Sequence, residues 1–176
     1  MDEEISRLRA AGHPLRLRML SLLTSAELSA AEVARELDLT HANASYHLRL
    51  LESAGLLEVA GEERIRGGIA KRYRHPWTFE LQVKGSEVSK ADDEVFVRAM
   101  AEEMVRRRRE RTTGPAVVSD AEMWVDPEVW ERVRDLVRDA SDLLHDNARP
   151  PRTDDTIHVS LTAAAFVMGD PESDRE

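Results

Sequence analysis

Two helix-start signals lie close together in this chain, and a glycine closes the second helix; few folds accommodate that arrangement. Ser29-Ala30-Ala31-Glu32 is a capping box, in which the Ser hydroxyl and the Glu carboxylate each satisfy a backbone N–H at the helix start. The helix it opens is short, with Val33, Ala34 and Leu37 inward. Asp38-Leu39 forms a turn, and Thr40 caps a second helix with Ala44, Leu48 and Leu51 inward. Gly55 then supplies a left-handed residue at its C-terminus. Two helices joined by so short a turn must cross and share one apolar face, which predicts a helix–turn–helix. A preceding helix is predicted over about 14–24, started by His13-Pro14 and carrying Leu15, Met19, Leu22 and Leu23 on one stripe. Residues 2–11 read as another short helix, with Ile5 and Leu8 three apart and Gly12 at its end.

After Gly55 the period changes from helical to alternating. Leu56 to Val59 reads as a strand, 61–68 as a loop with three glycines, and Ile69 to His75 as the returning strand ended by Pro76. Trp77 to Val83 reads as a strand and 84–90 as a polar linker. Asp92 to about Arg111 reads as a helix, acidic at its start and basic at its end, so that both ends complement its dipole. Ala121, Met123 and Val125 suggest a short strand. Asp126-Pro127-Glu128 starts a helix with an amphipathic stripe of Val129, Val133, Leu136, Val137, Ala140, Leu143 and Leu144. Ile157, Val159, Leu161, Ala163, Ala165 and Val167 alternate strictly, the pattern of a strand with one apolar face. Residues 171–176 are expected to fray. The fold class is therefore α+β: an N-terminal winged helix-turn-helix over 1–76, a linker over 77–91, and a C-terminal helix-strand-helix-strand module over 92–176, serving dimerisation or an effector.

Charge divides the chain the same way. The net charge is −9, yet residues 1–76 hold eleven basic and eleven acidic residues, so the whole deficit falls in the remaining hundred. The acidic total argues against indiscriminate nucleic-acid binding. With 41% hydrophobic and 34% charged residues, the chain is too apolar to be wholly disordered. No cysteine is present, which excludes disulfides, thiolate metal sites and a Cys nucleophile. The apolar run Leu161 to Met168 is too short to span a bilayer, and Asp2-Glu3-Glu4 is acidic where a secretory signal is basic, so a cytoplasmic protein with no membrane partner is expected.

The second helix of the pair offers a short polar face. With Ala44, Leu48 and Leu51 inward, Thr40, His41, Ala42, Asn43, Ser45, Tyr46 and Arg49 lie opposite. Asn reads adenine edges, Arg reaches guanine or phosphate, and His, Ser and Tyr bond either. Arg64 and Arg66 at the hairpin loop, with Lys71, Arg72 and Arg74 on the return strand, supply the cations of a phosphate-gripping wing.

Residues 13–75 resemble the winged helix of ArsR-like bacterial transcriptional regulators. The stretch from Leu39 to Leu56, with its Ser45-Tyr46-His47-Leu48 core and its Ala54-Gly55-Leu56 ending, is similar to that family's recognition helix. The resemblance implies that His41, Ala42, Ser45 and Tyr46 face bases and that His47 sits near the DNA backbone. Seen alone, His47 fits a contact to a neighbouring helix equally well. The family's metal sensing does not carry over: its cysteines are absent, and Asp142 and His145 do not reproduce its other common ligand spacing.

The expected function is sequence-specific binding of a double-stranded DNA operator by a homodimeric transcriptional regulator. Two alternatives stay open: the same regulator gated by a non-metal small-molecule effector in the C-terminal module, and a winged-helix protein-interaction adaptor. An enzyme is not expected. No phosphate loop or nucleophile elbow is present, and His145 with Asp142 and Asp146 fits a solvated helix face better than catalysis. No cofactor or metal is expected either. Trp77, Phe79, Phe96, Trp124, Trp130 and Phe166, with several methionines, suit an effector pocket, but an ordinary core uses the same residues. Arg106 to Arg109 reads as a solvated, dipole-complementing helix end, although four successive helical residues must place at least one Arg near a packed face.

Overall fold

The computed structural model describes residues 2–65, 68–77 and 89–169. Arg66, Phe79, most of the expected strand 77–83, the linker up to 88 and the terminal residues 171–176 lie outside the described residues. Four helices build the N-terminal part: α1 (Asp2–Ala11), α2 (Pro14–Ser25), α3 (Ala30–Leu37) and α4 (His41–Ser53). Their starts follow the local chemistry. His13 caps α2, its Nδ1 accepting from Leu15 N–H at 3.1 Å. Both halves of the capping box at α3 form, with Ser29 N–H donating to Glu32 at 2.7 Å. Thr40 Oγ1 accepts from Asn43 N–H at 3.2 Å. Asp38 takes the left-handed conformation in the turn, and Gly55 does so after α4, with φ of 68°.

The core gathers Met19 and Leu23 of α2, Val33 of α3, and Leu48 and Leu51 of α4, all fully buried, with Leu56, Leu57 and Tyr73 closing it from below. On α2 the burial is wider than one stripe. Leu20 is buried, while Leu15, Leu17 and Leu22 are partly buried and packed against the same core. That follows from position, since α2 packs on α1 and α4 and also on a later helix, α5 (Lys90–Arg109).

The sheet has three antiparallel strands in the order β1-β3-β2: β1 (Leu28–Ser29), β2 (Glu58–Ile65) and β3 (Gly68–Arg74). β1 was not expected; two residues are too few to show a period, and only the apposition of Leu28 to Tyr73 and Ser29 to Arg72 makes them a strand. The expected 61–68 loop is mostly ladder, because β2 stays paired to Ile65 opposite Gly68. Gly61 does not break the strand. It follows a register shift between Val59 and Gly61 that leaves Ala60 unpaired, a bulge rather than a loop.

α5 starts at a cap where Ser89 Oγ accepts from Asp92 N–H at 3.1 Å, and Asp92 is also gripped by both ends of the Arg9 fork at 2.8 and 3.0 Å. It packs on α1 and α2 through Ala99, which is buried, and Phe96, which reaches the core. The approach is close: a Cβ on Gly12 would sit 3.2 Å from Val95 Cγ1. Glu103 is buried on the same helix and held by Arg106 at 3.0 Å and Arg107 at 3.4 Å. Two of the four clustered arginines thus serve a buried carboxylate, while Arg108 and Arg109 are exposed.

The C-terminal region differs most from expectation. The last helix, α6 (Pro127–Asp146), forms where predicted, yet no residue on it is buried. Neither 121–125 nor 157–167 joins a sheet, so the helix-strand-helix-strand module is not assembled within the described residues of one chain. Alternation specifies which face a strand would bury, but a strand also needs a neighbouring backbone to pair with, and neither segment finds one here.

Candidate nucleic-acid interface

α4 separates an inward row from an outward one. Ala44, Leu48 and Leu51 are fully buried. Thr40, His41, Ala42, Tyr46 and Arg49 are exposed, Tyr46 at 53%, and Asn43 and Ser45 are half-buried beside them. The N-terminal turn therefore presents small and polar side chains together with free backbone N–H groups at the positive end of a helix, an arrangement suited to phosphate.

His47 behaves differently from its neighbours. It is only 8% exposed, and its ring lies 5.1 Å from that of His13 at the start of α2. Its Nδ1 is buried and makes no hydrogen bond. The structure thus places His47 in the seam between α2 and α4 rather than on the outward face with Tyr46. The reason is periodicity: three residues after Ala44 and four before Leu51, it falls on the packed stripe.

The hairpin cations divide into committed and uncommitted. Lys71 pairs with Glu52 of α4 at 2.8 Å. Arg72 pairs with Glu32 at 3.1 Å and Glu63 at 3.2 Å, and also donates to the Glu27 carbonyl. Arg74 pairs with Glu58 on the facing strand. Arg49 and Arg64 are exposed, and no carboxylate among the described residues pairs with either. Glu52, which sequence reasoning passed over, and Glu32, read there only as a capping residue, therefore dock the hairpin onto α4 and α3, and the Glu27 carbonyl holds Arg72 as well. Pairing across 19 to 45 residues is invisible to local pattern. These exposed pairs contribute little stability each, so a phosphate can displace a carboxylate at small cost.

Three histidines in this part are held towards the neutral form. Burial lowers His47, and the neighbouring His13 and Arg16 lower it further. Burial and Arg16 lower His13 against an opposing pull from Glu102. Burial lowers His75, whose Nδ1 lies 2.6 Å from the Leu56 carbonyl. A histidine lowered in the folded state leaves the unfolded chain binding more protons below the ordinary value of 6.5, so stability falls as pH drops through that range. Each such group contributes at most about 1.4 kcal/mol per pH unit. Thermal unfolding should show a falling midpoint from pH 7 to pH 5, and His47→Gln should flatten that slope. An unchanged slope in the variant would place the proton uptake elsewhere. The carboxylates act lower. Glu32, lowered first by its bond from Ser29 N–H, and Asp92, lowered by Arg9, lose their contribution only as pH falls below the ordinary carboxylate range.

Beyond α5, two side-chain contacts among the described residues join the C-terminal region to the N-terminal part. His145 of α6 stacks on Trp77 with rings 3.4 Å apart and nearly parallel, while its Nδ1 lies 2.7 Å from the Ser141 carbonyl. This is not the solvated face expected for His145: the ring is half-buried, because Trp77 offers it a flat apolar surface. Arg152 reaches Glu36 of α3 through two bonds of 3.0 and 2.9 Å.

The small bundle, the three-stranded sheet and the outward face of α4 define a helix–turn–helix domain with a wing. A family model described as a helix-turn-helix domain matches residues 11–60, which span α2 to the start of β2. Such a domain suggests a DNA-binding regulator. No curated protein matches the chain. No helix among the described residues is long and apolar enough to cross a membrane.

Proposed function

We propose that the chain is a sequence-specific, double-stranded-DNA-binding transcriptional regulator of the ArsR-like type, acting as a homodimer. The observation that carries this is the outward face of α4, which presents Tyr46 and Arg49, together with the exposed Arg64 on the hairpin; no described carboxylate pairs with either arginine. α4 reads base edges in the major groove through Asn43, Ser45, Tyr46 and Arg49, and the hairpin grips the adjoining backbone. One recognition helix contacts only a few base pairs, too few for selectivity against a genome, so two copies act on one operator. The chemistry is binding rather than turnover, and no metal or cofactor takes part.

A gated version of the same regulator draws support from the two contacts that the region beyond α5 makes with Trp77 and α3. A non-metal effector that displaced His145 from Trp77 or Arg152 from Glu36 would be felt at α3 and the hairpin. Titration of the protein onto the DNA beside its own gene tests the main reading. The expected result is binding at least ~10³-fold tighter than to unrelated duplex, at two chains per site. Equal affinity for both duplexes would overturn it and favour a protein-interaction adaptor.

A further inference from the structure

Two amphipathic segments of the C-terminal region are left without cover. On α6, Val129, Val133, Leu136, Leu143 and Leu144 form one stripe and are between 38% and 68% exposed. On the segment 157–167, Ile157, Val159, Leu161 and Val167 are likewise exposed. Of the 24 large hydrophobic residues exposed in the described chain, 16 fall between Val117 and Met168. Monomeric surfaces carry single apolar residues, not two coherent stripes on adjacent elements.

We infer that segment 157–167 pairs antiparallel with the same segment of a second copy of this chain, about a twofold axis at Thr162, and that the two α6 helices cover the sheet so formed. This inference rests on the homodimer proposed above and names its interface. Self-pairing about Thr162 sets Ile157 opposite Val167, Val159 opposite Ala165, and Leu161 opposite Ala163. Because pairing about a residue keeps odd positions opposite odd ones, the row Ile157, Val159, Leu161, Ala163, Ala165 and Val167 of both copies falls on one face. Each larger residue then meets an equal or smaller one, so the face packs without a clash. The opposite face carries His158, Ser160, Thr162, Ala164 and Phe166, with no charge anywhere between His158 and Met168 to oppose the pairing.

A two-stranded ribbon alone is marginal, but one backed by helices is not. The dimensions agree: twenty residues of α6 run about 30 Å and eleven residues of strand about 36 Å. Nine aliphatic side chains, each losing several tens of Å² of exposed surface, bring the buried area towards the roughly 800 Å² per partner of a stable interface. Pairing also gives the unpartnered backbone of 157–167 the hydrogen bonds that a single chain does not supply. An isologous interface of this kind closes at two copies and does not propagate.

The chain contains no cysteine, so single cysteines report the register cleanly. Directly opposed residues in an antiparallel pair stand about 4.5–5.5 Å apart between Cα atoms, within disulfide reach. Thr162→Cys is therefore expected to form a disulfide-linked dimer under mild oxidation, at least tenfold faster than Ser160→Cys. In the latter the two sulfurs are four residues out of register, roughly 13 Å apart. Mixing Ser160→Cys with Ala164→Cys should restore the fast reaction. Leu161→Asp should raise the dimer dissociation constant at least tenfold while leaving the far-ultraviolet spectrum of the helices unchanged. If Thr162→Cys fails to cross-link while light scattering still shows a dimer, the inference is overturned and the homodimer stands. Faster reaction at Ser160→Cys overturns the register. A monomer at tens of micromolar overturns both, and leaves the apolar faces to a different partner or an apolar ligand.

Discussion

Leu48→Ala is expected to cost the winged helix about 3–5 kcal/mol of stability, the largest effect of any single substitution proposed for this chain. Leu48 is fully buried at the centre of the cluster that joins α2, α3 and α4. Its removal leaves a cavity walled by elements that other contacts hold in place. α3 is pinned by its capping box and by Arg72, and α2 lies between α4 and α5. Neither can collapse inward, so the loss should sit at the upper end of the range. Urea unfolding followed by helical ellipticity measures it. A loss below about 1 kcal/mol would mean that α4 moves freely against α2, contrary to the packing described. Because α4 also carries the outward face, the variant should lose DNA affinity as its folded fraction falls, without a change in preferred sequence.

The second prediction separates reading from gripping. Asn43→Ala or Tyr46→Ala is expected to weaken operator binding by about 1–3 kcal/mol and to relax the preferred sequence, since each removes a side chain able to bond a base edge. Arg64→Ala is expected to weaken all duplexes alike and to lower the salt dependence by about one unit per half-site. Arg72→Ala should act differently from Arg64→Ala. Its guanidinium already serves Glu32, Glu63 and the Glu27 carbonyl, so the variant should loosen the hairpin as well as weaken binding. Affinities against a small set of operator variants at two salt concentrations distinguish these cases. Sequence preference that shifts with Arg64→Ala and not with Asn43→Ala would exchange the roles of helix and hairpin.

Legibility in the sequence followed the range of the interactions. Ser29 with Glu32, Thr40 with Asn43, and His13 with Leu15 are contacts within one helical turn, and all could be anticipated from adjacent residues. The two-residue strand β1 could not, because its partner Tyr73 lies 45 residues away. His47 shows the limit from another side. The residues and the resemblance left two placements open, near the DNA backbone and against a neighbouring helix, and its position on the packed stripe of α4 sets it against His13. His145 shows the reverse: on a helix with an acidic polar face it looked solvated, and Trp77, distant in sequence, removed it from water.

By itself the sequence determined the helices and the caps of α3 and α4, because a helix closes its hydrogen bonds within a few residues and its capping groups are neighbours along the chain. It also determined that α4 would have one face to bury and one to present. Only the tertiary structure decided which cations are neutralised, since Lys71, Arg72 and Arg74 meet their carboxylates across the fold and Arg49 and Arg64 do not. It decided, too, that α5 belongs against α1 and α2, and that the alternating segments 121–125 and 157–167 stay outside the sheet. The physical reason is the same in each case. A strand and an ion pair are both completed by a second group whose position the local sequence does not encode.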